Sequence, residues 1–177
     1  MEKMEVTGLS NELETKLREL LDRDAIREVY TRYGRGLDRA DAALIASAYH
    51  PDAIEDHHGE TFDGATIGET LQHHSLRSMD RTSTHFTNLS IALDGDRAGC
   101  EAYYIGLHVL KGGEKRLMSS GRTFDRFERR NGEWRFIHRV IAPEMLRIMP
   151  LDEISVNGPA MERGPGDPSY EVLRVSR

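Results

Sequence analysis

One cysteine, Cys100, in 177 residues excludes an internal disulfide and is too little for a thiolate metal site; it reads as a small buried hydrophobe. Long apolar runs are equally scarce. Ala42 to Ala46 and Val140 to Ala142 fall far short of the roughly 20 residues that cross a bilayer, so no membrane partner is expected. Glu2, Glu5, Glu12 and Glu14 interrupt the region where a secretory signal needs a continuous apolar stretch, and a cytoplasmic protein is expected. Positive charge is in deficit, with 24 Lys and Arg against 30 Asp and Glu, a net −6. No basic cluster is free of interleaved acids, which argues against nucleic acid as a partner. His-x-x-x-His spacing is missing too. The pairs His57-His58 and His73-His74 cannot chelate locally, because neighbours on a strand point to opposite faces and neighbours on a helix diverge by about 100°. No metal and no cofactor is expected, and none of the glycine turns resembles a phosphate-cradling loop.

What is present is a change of period within a chain long enough for one domain with a real core. Ile26, Val29, Tyr30, Tyr33 and Leu37 form the apolar stripe of a helix from Asn11 to Leu37, with Asp24 able to charge or cap its start and Gly34 and Gly36 loosening its end. Asp41 suits the N-cap of a short second helix carrying Leu44, Ile45, Ala48 and Tyr49, closed by His50-Pro51. A strand around Ala53 to His58, a turn at Phe62-Asp63-Gly64 and a helix from Ala65 to Ser78 follow. Beyond them, Thr84 to Leu93, Arg97 to Lys111, Arg116 to Arg130 and Glu133 to Ile141 read as strands. Asp94-Gly95-Asp96, Gly112-Gly113 and Asn131-Gly132 join them as tight hairpins. Helices followed by an antiparallel meander predict an α+β fold. Gly158, Pro159, Gly164, Pro165, Gly166 and Pro168 leave the stretch from Asn157 to Pro168 as an extended tail or arm.

Four residues could carry chemistry. His85, entering a strand in Ser83-Thr84-His85-Phe86-Thr87-Asn88, can accept a proton near neutral pH, although a histidine there is more often structural. Asp38, in Leu37-Asp38-Arg39-Ala40-Asp41, is the candidate to orient such a ring and stabilise its cation; otherwise it is a helix-end cap. Tyr33, five residues earlier, shares a face with Asp38 only if the helix departs from ideal geometry around Gly34 and Gly36; its plainer role is in the core. Arg139 alternates with Ile137 and Ile141, which would aim a cation at an apolar interior and require an anionic partner there, unless the strand is an edge and the charge is solvated.

The order of Leu37-Asp38-Arg39-Ala40-Asp41, Tyr49-His50-Pro51-Asp52-Ala53, Thr84-His85-Phe86-Thr87-Asn88 and the run from Gly121 to Trp134 through Asn131-Gly132-Glu133 resembles the SnoaL-like polyketide cyclase family. This is a branch of the nuclear transport factor-like fold. The resemblance covers residues 17 to 142 and implies a cone-shaped barrel, a curved antiparallel sheet closed by N-terminal helices, over 1–143, with 144–177 as a C-terminal extension. Within that superfamily the pattern is most similar to cofactor-free lyases: scytalone dehydratase, hexachlorocyclohexane dehydrochlorinase and the bile-acid dehydratases. By that resemblance Asp38 and His85 form the Asp-His dyad, Arg139 matches the dehydrochlorinase arginine and Tyr33 a bile-acid-dehydratase tyrosine. His108 lies near the scytalone enzyme's second histidine in order, but Tyr103 is the preferred cavity residue of that strand. The expected lining is Tyr49, Tyr103, Ile105, Phe124 and Ile137.

The resemblance therefore implies a cofactor-independent lyase in which His85, held by Asp38, removes a proton while a leaving group departs from the neighbouring carbon. Tyr33 or Tyr103 would protonate that group and Arg139 would stabilise negative charge. The expected partner is a small, largely apolar, aromatic substrate, and dehydration, dehydrohalogenation and retro-aldol release all remain open. A polyketide cyclase or ketosteroid-type isomerase, and a non-catalytic ligand-binding or assembly subunit, are the alternatives. A homodimer or homotrimer is also implied, with the tail capping a neighbouring cone.

Overall fold

The computed structural model describes residues 10–57, 59–151 and 162–174. Helix α1 (Asn11–Arg39) starts where the Ser10 side chain accepts from the Leu13 N–H and ends at Ala40, whose left-handed backbone has φ 50°. It is longer than predicted and runs through Gly34 and Gly36 without loosening. A Cβ on Gly36 would come within 2.8 Å of the Ile45 backbone nitrogen, so this glycine lets α2 (Ala42–Ala46) close on α1. Asp41 caps α2 as expected, accepting from the Leu44 N–H at 2.9 Å. The helix lasts five residues, because strand β1 (Tyr49–His57) captures the chain earlier than the pattern predicts. The Phe136 N–H donates to Ala48 O, and Tyr49 pairs beside Phe136, which makes His50 and Pro51 strand residues rather than a helix stop.

A short β2 (Glu60–Asp63) folds back on β1, α3 (Ile67–Ser78) crosses the open end, and four long strands follow: β3 (Met79–Asp94), β4 (Arg97–Leu110), β5 (Lys115–Arg130) and β6 (Glu133–Pro150). The hairpin turns fall where the glycines placed them, Asn131 and Gly132 both at positive φ. The sheet order is β2-β1-β6-β5-β4-β3, antiparallel throughout except for β1 and β6, which run parallel. The sheet is therefore mixed; the pairing of the first strand with the last leaves no trace in either strand's period. Strand β6 passes residue 143 and pairs residues 145–150 with 115–120, carrying the sheet beyond the expected end of the cone.

Bulges shape the concave side. One lies at Gly121, where a Cβ would meet Ala142 O at 2.2 Å. Another, between Arg126 and Phe127, sets Ile137 out of register and breaks the alternation, so that Phe136 and Arg139 both face inward. Ile26, Val29, Tyr30 and Tyr33 of α1 pack there with Tyr49, Phe127, Phe136 and Cys100, the cysteine buried as expected. Asp22 accepts from Trp134 Nε1 at 2.8 Å and from Arg129 at 2.7 Å, tying α1 to the β5–β6 hairpin.

Residues 162–174 fold back onto the same chain. Arg163 donates to Leu37 O at 3.2 Å, Met79 O at 3.0 Å and Ser75 Oγ at 2.6 Å. Asp167 pairs with Arg39 at 3.0 Å, and Tyr170, in the single-turn α4 (Ser169–Val172), donates to Asp41 at 2.6 Å. The described part of the arm thus seals the corner where α1, α2 and α3 meet. The first part of the breaker-rich stretch, Asn157 to Met161, lies outside the described residues.

Candidate active site

The concave face and the helices enclose a cavity of about 440 Å³, a size suited to a small molecule. Strand alternation decides which residues reach it. On β3, Thr82, Thr84 and Phe86 line the cavity; on β4, Tyr104, Gly106 and His108 do. The residues between them face outward. His85 is exposed and meets Ser83 Oγ at 2.9 Å, while the Asp38 carboxylate accepts the Thr84 backbone N–H at 3.1 Å. The expected Asp38–His85 dyad is therefore not assembled. Tyr103, Ile105 and Phe124, expected in the lining, are on the convex face with exposures of 42%, 43% and 42%. Ile137 sits half-buried in the β6 bulge, and Tyr49 is buried in the aromatic core rather than lining the cavity. A signal for the correct face was present: Ala98, Cys100 and Ala102 alternate as small buried residues, as a face packed against a helix requires, and that parity leads to His108.

Gly106 makes the His108 position possible. The histidine ring lies back over it, and a Cβ there would stand 2.5 Å from His108 Nε2 and 2.6 Å from Ser119 Oγ. In this pose His108 Nδ1 is 2.8 Å from Thr82 Oγ1, which is itself 3.5 Å from Asp38 Oδ1. When Thr82 donates toward Asp38, its oxygen accepts from Nδ1–H and the ring's lone pair resides on Nε2. Burial, with the nearby Arg163 charge second, pushes the His108 pKa below the usual histidine value and favours that neutral form. Burial outweighs the Thr84 hydrogen bond at Asp38 and raises its carboxyl above the usual range.

Beneath this wall is a charge cluster that sequence reasoning recovered only in part. Arg139 is fully buried, as expected, and finds its anion in Asp125 at 3.4 Å. Asp125 also accepts from Tyr30 at 2.5 Å and from Thr123 at 2.6 Å. The guanidinium lies among rings, 4.3 Å from the Tyr33 centroid and 4.5 Å from that of Phe136. A second buried carboxylate, Glu55, stands beside Arg139 in the β1–β6 register. It accepts from the Tyr49 hydroxyl and meets His57 Nδ1 at 2.8 Å. One buried cation thus faces two buried acids, and their pKa values part. Burial raises Asp125 despite Arg139; at Glu55 burial is offset by the His57 hydrogen bond and the Arg139 charge, and the value falls. Burial and then Glu55 raise Tyr33, which lines the cavity as a protonated phenol. Asp125 and Glu55 were missed because an acid within a strand reads as surface charge. Among the described residues no cluster of His, Cys, Asp and Glu is arranged to hold a metal, and no helix is long and apolar enough to cross a membrane.

A SnoaL-like domain matches residues 18–140. The chain belongs to that family. In solved structures this SnoaL-like cone is similar to a hexachlorocyclohexane dehydrochlorinase, with a TM-score of 0.72 and 23% identity over 81% of this chain and 98% of that one. The type-3 form of that enzyme from Novosphingobium barchaimii gives 0.69, with 23% identity over 81% and 99%. A Novosphingobium aromaticivorans protein named for scytalone dehydratase gives 0.67, with 17% identity over 84% and 95%. At these identities the likeness establishes the fold alone. No curated protein matches the chain. The SnoaL-like cone supplies a half-open, mostly apolar chamber with a few polar groups in its wall.

Proposed function

We propose that the chain is a cofactor-independent lyase acting on a small hydrophobic molecule, with His108 as the base and Asp38 its anionic support through Thr82. The observation that carries this reading is the line Asp38–Thr82–His108 in the wall of an apolar chamber. It puts a neutral imidazole lone pair beside the substrate space and a carboxylate behind it, the arrangement that favours proton abstraction and then shelters the imidazolium. His108 Nε2 takes a proton from carbon; the electron pair forms the new double bond and the leaving group departs from the adjacent carbon. Tyr33 donates a hydrogen bond to negative charge developing on a substrate oxygen, with Arg139 stacked behind its ring. The lyase relatives of the fold support the same reaction class.

The test is to incubate wild type, His108→Gln and His85→Gln with a panel of β-hydroxy ketones, halocarbons, aryl diols and enones in deuterated water and to read product masses. Elimination by wild type and His85→Gln, with loss of at least ~100-fold in His108→Gln, is expected. Loss in His85→Gln alone would return the base to His85. Deuterium uptake without mass loss would indicate an isomerase or cyclase, and tight binding with no chemical change a ligand-binding module.

A further inference from the structure

The acid on β1 leaves a question that the base on β4 does not answer. Glu55 is fully buried and both its oxygens are engaged, one by the Tyr49 hydroxyl and one by His57 Nδ1. Burying a carboxylate is costly unless it is paired and hydrogen-bonded, and Glu55 has only a share of the Arg139 charge, which Asp125 also faces. The partner through which Glu55 reaches the cavity is His57, whose ring lines the same chamber as His108. The two histidines stand on strands separated by β6 and β5 in the sheet. Each has a carboxylate behind it: Asp38 through Thr82 for His108, and Glu55 directly for His57.

We propose that His57, held by Glu55, is the general acid that protonates the leaving group, and that the substrate therefore carries an oxygen leaving group, as in a β-hydroxy carbonyl compound. This rests on the lyase reading above. Glu55 is a positioning residue: its anionic carboxylate accepts Nδ1–H, turns Nε2 to the substrate and stabilises the imidazolium. The low Glu55 pKa agrees with a carboxylate that stays charged beside that ring. In the reaction His108 removes a proton from the carbon next to the carbonyl, the carbon–oxygen bond breaks, and His57 delivers its Nε2 proton to the departing oxygen as water forms. One histidine gains the proton that the other loses, and exchange with solvent restores both before the next turnover. A halide needs no such proton, since it leaves as a stable anion. The pair thus separates dehydration from dehydrohalogenation by chemistry.

The experiment compares wild type, His57→Gln, Glu55→Gln and His108→Gln on a matched pair, a β-hydroxy ketone and its β-chloro analogue, with thermal midpoints recorded for each protein. His57→Gln should lose ~100-fold or more in kcat on the hydroxy ketone and under ~3-fold on the chloro ketone; His108→Gln should lose on both. Glu55→Gln should show the same leaving-group dependence as His57→Gln if it folds, and half-exposed His57 provides the test if it does not. Equal losses of His57→Gln on the two substrates, or no loss on either, would overturn the acid role while leaving the base reading intact. A wild type inert to both would overturn the lyase reading and this proposal with it.

Discussion

The two faces of β3 and β4 are built from alternate residues of the same strands and differ in nearly every respect. Inward, Thr82, Thr84, Phe86, Tyr104, Gly106 and His108 meet the chamber. Outward, Ser83, His85, Tyr103, Ile105 and Leu107 face away from it, and the three apolar ones are each more than 40% exposed. The outer row is richer in the large apolar side chains that a binding pocket suggests, yet the inner row is the one that lines the chamber. The comparison teaches that residue type does not identify the working face; what packs against the strand does, and here that is α1.

The comparison breaks most severely at Arg139. Arg139→Met removes the cation that two buried acids share, and unpaired buried charge of this kind costs about 3–5 kcal/mol, a loss that urea titration would read as a lower midpoint at unchanged slope. Adding Asp125→Asn should recover part of it, since one buried acid is then neutral. A smaller effect is expected at Gly106. Gly106→Ala forces His108 off the strand, costing about 1–3 kcal/mol as overpacking does and lowering turnover at least as far as the lost Thr82 contact demands. Ile105→Thr, one residue away on the other face, should change stability by less than about 0.5 kcal/mol and leave turnover intact; equal effects from the two would dissolve the distinction between the faces.

The smallest effect is a pH dependence. Because the fold lowers the His108 pKa, its contribution to stability is complete above about 6.5, the ordinary histidine value, and is lost as pH falls from there through the folded value. His108→Gln should flatten that part of the curve of thermal midpoint against pH, and the acid limb of wild-type kcat/KM should lie below about 6.5.

Much of this molecule was legible before its coordinates. Turns at Asn131-Gly132 and Gly112-Gly113, the Asp41 cap and the α1 stripe obey local rules of backbone conformation, so they appear in the sequence where they occur in space. The need of Arg139 for an internal anion followed from the cost of burying charge. The identity of that anion did not: Asp125 faces Arg139 across the β5–β6 hairpin only because the bulge at Ile137 resets the register, and Glu55 reaches it through pairing between strands distant in sequence. The parallel union of β1 with β6 is non-local in the same way. The outward placement of His85 has a different origin: a motif fixes a position along the chain, whereas facing inward or outward depends on a parity set by every bulge in the strand. The resemblance named His108 but ranked it behind Tyr103, and whether His57 reaches the cavity was left open by the sequence; parity places both in the lining of one chamber.

Arg163 binds carbonyls of residues 37 and 79 and the hydroxyl of Ser75, all of which precede it by more than eighty positions. On the ribosome, then, every group it grips emerges earlier and must wait for it. The corner of the cone beside Asp38 and His108 is closed last, by an arm that arrives after the sheet is complete, so the site's final geometry is a late event in the life of each nascent chain.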